Sequence, residues 1–171
     1  RDISLRGPWT SGGIEFNYGV IGHSPSCSFP VDYLVRNNKD GSASCVIGTL
    51  DLLTRTCWSV EINLPKDKGW FTTKSFWHNR TCSLQPYYNW VNTAIAAKDD
   101  LMFIYPGTHN IGHDGILISS WPVDSIRNKN ISIWGENNFE SDRSKSYHII
   151  GSHDSYFGAY WESDNFGWLH Y

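Results

Sequence analysis

Ser83-Leu-Gln-Pro-Tyr-Tyr-Asn-Trp-Val-Asn-Thr-Ala-Ile-Ala-Ala-Lys98 decides the fold class, because no other part of the chain carries a helical pattern. Tyr87, Trp90, Val91, Ala94 and Ile95 fall at i, i+3, i+4, i+7 and i+8, with Asn89, Asn92 and Thr93 on the more polar side. Ser83 is a capping residue, Pro86 suits a first turn, and Ala94 to Ala97 favour propagation. A helix of this length is marginal alone in water, so its aromatic stripe needs a sheet to bury it. On this reading Trp90→Ala unfolds or strongly destabilises the domain.

Strand signals flank this stretch on both sides. Residues 14–20 alternate Ile14, Phe16, Tyr18 and Val20 with Glu15, Asn17 and Gly19, which reads as a half-buried strand. Residues 31–36 and 44–50 form a hairpin across a loop containing the turn pair Asp40-Gly41. Residues 56–64 alternate most cleanly, with Trp58, Val60, Ile62 and Leu64 on one face. Residues 70–77 continue the series. The run Leu101-Met-Phe-Ile-Tyr105 reads as a central strand covered on both faces. Further strands are expected at 116–121, 131–134, 147–151, 156–161 and 166–169. This order lacks the βαβ alternation of a parallel fold and has no repeat of fixed period. The expected fold is mainly β (α+β): antiparallel sheet or sheets wrapped around or packed on one central α-helix, about residues 83–98.

A chain of 171 residues suits one domain. The net charge of −3 and the absence of a basic block make nucleic acid and anionic membranes poor partners. No run approaches the roughly 20 apolar residues of a membrane span. The chain begins at Arg1 without a signal-peptide pattern, and is expected to be a single domain cut from a longer polypeptide. Cys27, Cys45, Cys57 and Cys82 show neither a C-x-x-C pair nor zinc spacing; two disulfides and four reduced thiols are both compatible with the sequence. Asn79-Arg-Thr81 and Asn130-Ile-Ser132 are glycosylation sequons, but chance alone yields about two in a chain so rich in Asn, Ser and Thr.

No catalytic set emerges. His109, His113 and Asp114, with His148, His153 and Asp154, resemble metal ligands, but flexible glycine-containing spacing makes solvated loop histidines the better reading, and no metal or cofactor is expected. Gly-x-Ser-x-Gly is absent. Glu15, Glu61, Glu136, Glu140 and Glu162 could supply carboxylate pairs, yet sequence cannot place two at the separation that glycoside hydrolysis requires.

Two clusters instead combine aromatic rings with amides and acids: Trp134-Gly-Glu-Asn-Asn-Phe139 and Tyr160-Trp-Glu-Ser-Asp-Asn-Phe-Gly-Trp168. A sugar offers apolar C–H faces ringed by hydroxyls. Rings stack on the face, while planar amides and carboxylates read hydroxyl direction. Trp134, Asn137, Asn138, Trp161, Asp164, Asn165 and Trp168 are therefore the expected glycan-binding residues. The competing reading makes these tryptophans core residues between conformationally driven turns.

In size and in the order of elements around residues 83–98, the chain resembles the glycan-binding tip domain of the group B rotavirus spike protein, in which a β-sheet clasps one helix. The galectin-like tip of commoner rotavirus groups, lacking that helix, matches less well. The resemblance implies recognition of N-acetyllactosamine-containing glycans, a virion-surface location on the outer capsid, reduced cysteines and unused sequons. No binding residue carries over, because no motif aligns. The expected role is a non-enzymatic, lectin-like attachment domain of a viral spike. Its partners would be cell-surface glycans and the rest of the spike, without nucleic acid or membrane insertion. Alternatives are a secreted polysaccharide-acting enzyme or carbohydrate-binding module, with Asp154, Glu162 or Glu136 as acid and base, and a structural or protein-binding β domain.

Overall fold

A computed structural model describes residues 13–18, 29–112, 115–137 and 146–171. The chain divides into two compact units, residues 1–95 and 96–171. Within the described residues all paired strands run antiparallel.

The first unit holds a four-stranded meander, β2 (Asp32–Asn37), β3 (Ala43–Leu50), β4 (Thr56–Leu64) and β5 (Thr72–Asn79), in sequence order. The alternation in β4 selects its buried face: Trp58 and Val60 are buried, Ile62 is half-buried, and Leu64 is exposed where the sheet runs out. Ile47, Ile62 and Trp77 pack with Trp58, Val60 and Tyr18 in one core cluster. Tyr18 tilts onto Trp58 at 5.5 Å and donates its hydroxyl to Ser75 Oγ at 2.5 Å.

The helix expected over residues 83–98 does not form. Residues 84–89 are irregular, and β6 (Trp90–Ala94) pairs with β1 (Gly13–Asn17), setting Val91 opposite Phe16 and Asn92 opposite Glu15. Local chemistry explains the failure. Pro86 holds its predecessor extended, and Tyr, Asn, Val and Thr are all weaker helix formers than the alanines that follow. The polar side of the expected helix also has a better use. Asn92 Nδ2 donates to the buried Glu15 carboxylate at 3.4 Å, beside Asn17 Nδ2 at 2.6 Å, and Trp90 Nε1 donates to Asn92 Oδ1 at 2.5 Å. Trp90 is thus a half-buried strand residue rather than the centre of a helical stripe. The segment containing β1 differs from expectation in burying polar residues too: Glu15 and Asn17 are buried, while on the apolar side Ile14 is exposed, Phe16 is half-buried against the core and Tyr18 is buried in it.

The second unit contains β7 (Leu101–Ile104), β13 (Phe157–Trp161) and β14 (Phe166–His170) in one sheet of order β14-β13-β7. β8 (His109–Ile111) lies between β9 (Ile118–Ser120) and β12 (His148–Ile150), and β10 (Val123–Asp124) pairs with β11 (Lys129–Asn130). β7 is an edge of its sheet, not a covered central strand: Leu101 is buried, while Met102 and Ile104 on the opposite face are exposed. Residues 131–134 form a turn leading into α1 (Trp134–Asn137), with only a bridge from Ile133 to Met102, so the strand expected there is absent.

Leu101, Phe103 and Tyr105 lie on the same face as Phe157, Ala159 and Trp161, and rings accumulate there. Tyr105 stacks on Phe157 at 5.7 Å and meets Trp121 edge-on at 5.6 Å; Tyr147 closes the group against Trp121 at 5.0 Å and Phe103 at 5.1 Å. Burial among these rings pushes the Tyr105 phenol above its ordinary pKa. The peptide bond between Trp121 and Pro122 is cis.

Polar turns are closed by one recurring device. Ser42 donates both its N–H and its hydroxyl to Asp40 Oδ1, at 2.9 and 2.7 Å. Thr81 does the same to Asn79 Oδ1, at 2.9 and 2.7 Å, and Ser132 to Asn130 Oδ1, at 3.1 and 2.7 Å. Both sequons are therefore Asx turns locked by their own hydroxyl residue. Cys45, Cys57 and Cys82 are free thiols, and Cys27 lies outside the described residues.

Two outcomes follow from this packing. Leu101 is 1% exposed, so Leu101→Ala should cost about 2–5 kcal/mol in urea unfolding monitored by tryptophan fluorescence. Asp124 is fully buried. Burial alone would raise its pKa, but hydrogen bonds from Arg127 and from the N–H groups of Ile126 and Arg127 hold it below the usual carboxylate range. A depressed pKa gives stability that is present above the unfolded value of about 3.9 and lost as pH falls through the folded value. Urea midpoints should therefore decline below about pH 4, and Asp124→Asn should flatten that decline while lowering the midpoint at neutral pH.

Candidate functional site

Both aromatic and amide clusters of the sequence converge on one turn of the second unit. The Lys98–Leu101 turn, closed by Leu101 N–H donating to the Lys98 carbonyl at 3.0 Å, touches each of them. Gly135 at the start of α1 donates its N–H to the Asp99 carbonyl at 2.9 Å. A Cβ on Gly135 would stand 2.7 Å from that oxygen, so glycine is required for the approach. Asp100 accepts the Ser163 N–H at 2.6 Å, from the loop of the β13–β14 hairpin.

That hairpin tip is tightly specified. Trp161 pairs with Phe166 across the loop of residues 162–165, Asn165 N–H donates to the Glu162 carbonyl at 3.1 Å, and Asn165 adopts φ of 47°. Asparagine tolerates this left-handed conformation better than most residues. Its Oδ1 accepts the Tyr160 hydroxyl at 2.9 Å. The Tyr160 ring lies over Gly167, where a Cβ would be 3.1 Å from Tyr160 Cδ2. Lys98 Nζ holds Asp164 through both carboxylate oxygens, each at 2.6 Å. With both side chains nearly half exposed, this pair is worth roughly 0–1 kcal/mol; its effect is to fix where the carboxylate points.

The expected glycan-binding residues separate by burial. Trp161 is buried against Leu101 with its indole N–H donated to the Ala96 carbonyl at 2.8 Å, and Trp134 is buried in α1, so neither ring face is open for stacking. Asn137 is also buried, its Nδ2 donating weakly to the Ile131 carbonyl and the Tyr147 hydroxyl, each at 3.4 Å. Trp168 is half-buried, edge-on to Phe157 at 5.5 Å, with its indole N–H facing no acceptor among the described residues. Asn138 lies outside the described residues, as do His113, Asp114 and Glu140. Asp164 and Asn165 remain at the surface, side by side on the hairpin tip.

Four further residues complete the tip: Lys98, Asp100, Tyr160 and Phe166. Phe166 is 61% exposed and stacks its ring on Trp161 at 6.0 Å with an interplanar angle of 25°. One of its faces is supported by a buried indole. Tyr160 and Phe166 stand inside the aromatic stretch quoted from the sequence; Lys98 and Asp100 could be found only from the fold, because the helical reading consigned them to a helix exit. These two turns carry Asp99, Asp100, Glu162 and Asp164 against one basic residue, Lys98, so their formal charge is negative. Of the carboxylates considered as acid and base, Glu136 and Glu162 are exposed on α1 and the hairpin loop, and Asp154 is exposed in a separate turn where its N–H donates to Ser152 Oγ at 2.9 Å.

The hydrogen bond from Ser163 N–H holds the Asp100 carboxyl below its ordinary pKa. In an acid titration followed by NMR, the Ser163 amide should therefore titrate with a midpoint below about 3.9, and Asp100→Asn should abolish that transition. No solved structure matches the chain significantly. A family model described as a domain of unknown function (DUF5107) matches residues 1–171, and the chain belongs to that family.

Proposed function

We propose that the β13–β14 hairpin tip binds glycans, and that the domain is a non-enzymatic, lectin-like attachment module. The observation that carries this reading is Phe166: a largely exposed ring, backed by Trp161, beside Asp164 and Asn165, whose orientations are fixed by Lys98 and Tyr160. An exposed ring with a braced back supplies a stacking platform, and an anchored amide and carboxylate supply directional contacts for hydroxyls. The stacking role assigned from sequence to Trp134, Trp161 and Trp168 passes to Phe166, and Trp161 becomes its support.

The charge of the tip narrows the ligand class. An excess of carboxylates over the single lysine on the two turns of the tip disfavours sialylated or sulfated sugars and favours neutral oligosaccharides, of which N-acetyllactosamine is one. A shallow surface site of this kind binds weakly and gains strength from multivalent display. The resemblance to a viral spike tip was carried by overall size and by the order of elements around residues 83–98, of which Trp90–Ala94 form strand β6 rather than helix. Attachment at a virion surface stays a proposal on the site alone.

A glycan array containing neutral and sialylated oligosaccharides tests the reading. Neutral structures should bind, and Phe166→Ala should weaken binding by about tenfold or more while leaving the unfolding midpoint nearly unchanged. Asp164→Ala should reduce binding as well. A blank array, or binding insensitive to both substitutions, sinks the assignment. Turnover of the bound oligosaccharide would move the domain to the enzyme class.

A further inference from the structure

β2 is an open edge of its sheet among the described residues, and its apolar residues are not withdrawn from water: Tyr33 is 75%, Leu34 59% and Val35 63% exposed. Soluble proteins ordinarily blunt such an edge with proline, a bulge or inward-pointing charge. Here the only charges are Asp32 and Arg36, placed symmetrically about Leu34.

Hydrogen-bond parity fixes which backbone groups face outward. Asn38 N–H donates to the Ser42 carbonyl at 2.8 Å, which makes residues 38 and 42 a hydrogen-bonded pair. Alternation along the ladder then makes Arg36 with Ser44, Leu34 with Val46, and Asp32 with Gly48 the bonded pairs between β2 and β3. The other hairpin agrees. Asp51 N–H donates to the Thr56 carbonyl at 2.8 Å, so the odd-numbered residues of β3 bond to β4 and its even-numbered residues are left for β2. The unused N–H and C=O groups of β2 therefore belong to Tyr33, Val35 and Asn37.

We infer that two copies of this chain associate through β2, antiparallel and two-fold about Leu34, to form one continuous eight-stranded sheet. In that register Tyr33 and Val35 of each copy exchange backbone hydrogen bonds, using the groups that parity leaves free. Asp32 stands opposite Arg36 of the other copy, twice, in non-hydrogen-bonded pairs where side chains approach most closely. Tyr33 faces Val35 on the other side of the sheet, an aromatic and β-branched pair. Registers shifted by two residues satisfy parity but set Arg36 against Leu34 or Pro30, so only this one matches both charge and backbone. Arg36 already meets Glu61 at 2.9 Å, and its guanidinium has five N–H donors, enough for a second carboxylate. Asp32 has no ion pair among the described residues. The interface is isologous and closes on itself. It stands independently of the glycan reading, since β2 and the hairpin tip belong to different units.

Six residues of edge cover little area, so the expected dimer is weak, with a Kd between about 1 μM and 1 mM. Sedimentation velocity on the full chain should show a monomer–dimer equilibrium in that range. Hydrogen exchange at high and low concentration should show Tyr33 and Val35 amides gaining protection with concentration, while Leu34 is protected throughout. Asp32→Arg sets like charges opposite twice per dimer and should raise Kd about tenfold or more. Val35→Pro deletes an outward N–H that the fold does not use, and should give a folded monomer by circular dichroism. If Val35→Pro fails to fold, Asp32→Arg and the exchange pattern decide. A monomer up to about 1 mM, or a dimer indifferent to Asp32→Arg and without protection at Tyr33 and Val35, overturns the proposal.

Discussion

Cross-strand pairing of large rings is the constraint on which the rest of the structure depends. The chain carries nine Trp, nine Tyr and eight Phe, and the described sheets have only two to four strands. Small sheets offer little continuous interior, so rings are buried by meeting one another edge-on or stacked. Trp58 faces Trp77, Tyr105 faces Phe157, and Trp161 faces Phe166. The stacked pairs Tyr105–Phe157 and Trp161–Phe166, and the edge-on contacts of Trp121 with Tyr105 and Tyr147, suit the ring quadrupoles. The same constraint leaves many apolar residues at the surface, as on β2 and on the outer face of β7.

Indole N–H groups show where that packing is complete. Trp161 and Trp121 donate to the carbonyls of Ala96 and Tyr105, at 2.8 and 3.2 Å, and so tie a ring to a neighbouring segment of backbone. Trp58, Trp77 and Trp168 bury the same group without an acceptor among the described residues. A buried unpaired donor costs free energy, so these three positions tolerate their polar tip for the sake of ring area. Trp161, buried at the end of β13, is the opposite case: its area, its N–H and its support of Phe166 are all used.

The β4 strand was legible because strict alternation over residues 58–64 has no helical alternative. The β2–β3 hairpin was legible through Asp40-Gly41, whose glycine adopts φ of 85°. Residues 83–98 misled because five apolar positions fit a 3.6-residue period while β-forming Val91 and Thr93, and the buried acid that Asn92 would reach, argued for a strand. Glu15 lies 77 positions away from Asn92, and no local pattern records such a partner. At the hairpin tip, sequence found Asp164 and Asn165 as an acid and an amide set among aromatic residues. It could not tell the buried Trp161 from the exposed Phe166, since composition does not reveal which side of a ring pair faces water.

The locked turns at Asn79 and Asn130 bear on how such sequences are read. Thr81 and Ser132 are each held by two hydrogen bonds to the asparagine that precedes them by two residues, and Ser42 makes the same pair of bonds to Asp40, where no sugar could be attached. The aspartate case shows that the spacing serves backbone geometry by itself. Persistence of an Asn-x-Ser/Thr triplet among relatives would therefore report selection on a turn, and aspartate should replace asparagine at either position without unfolding the loop.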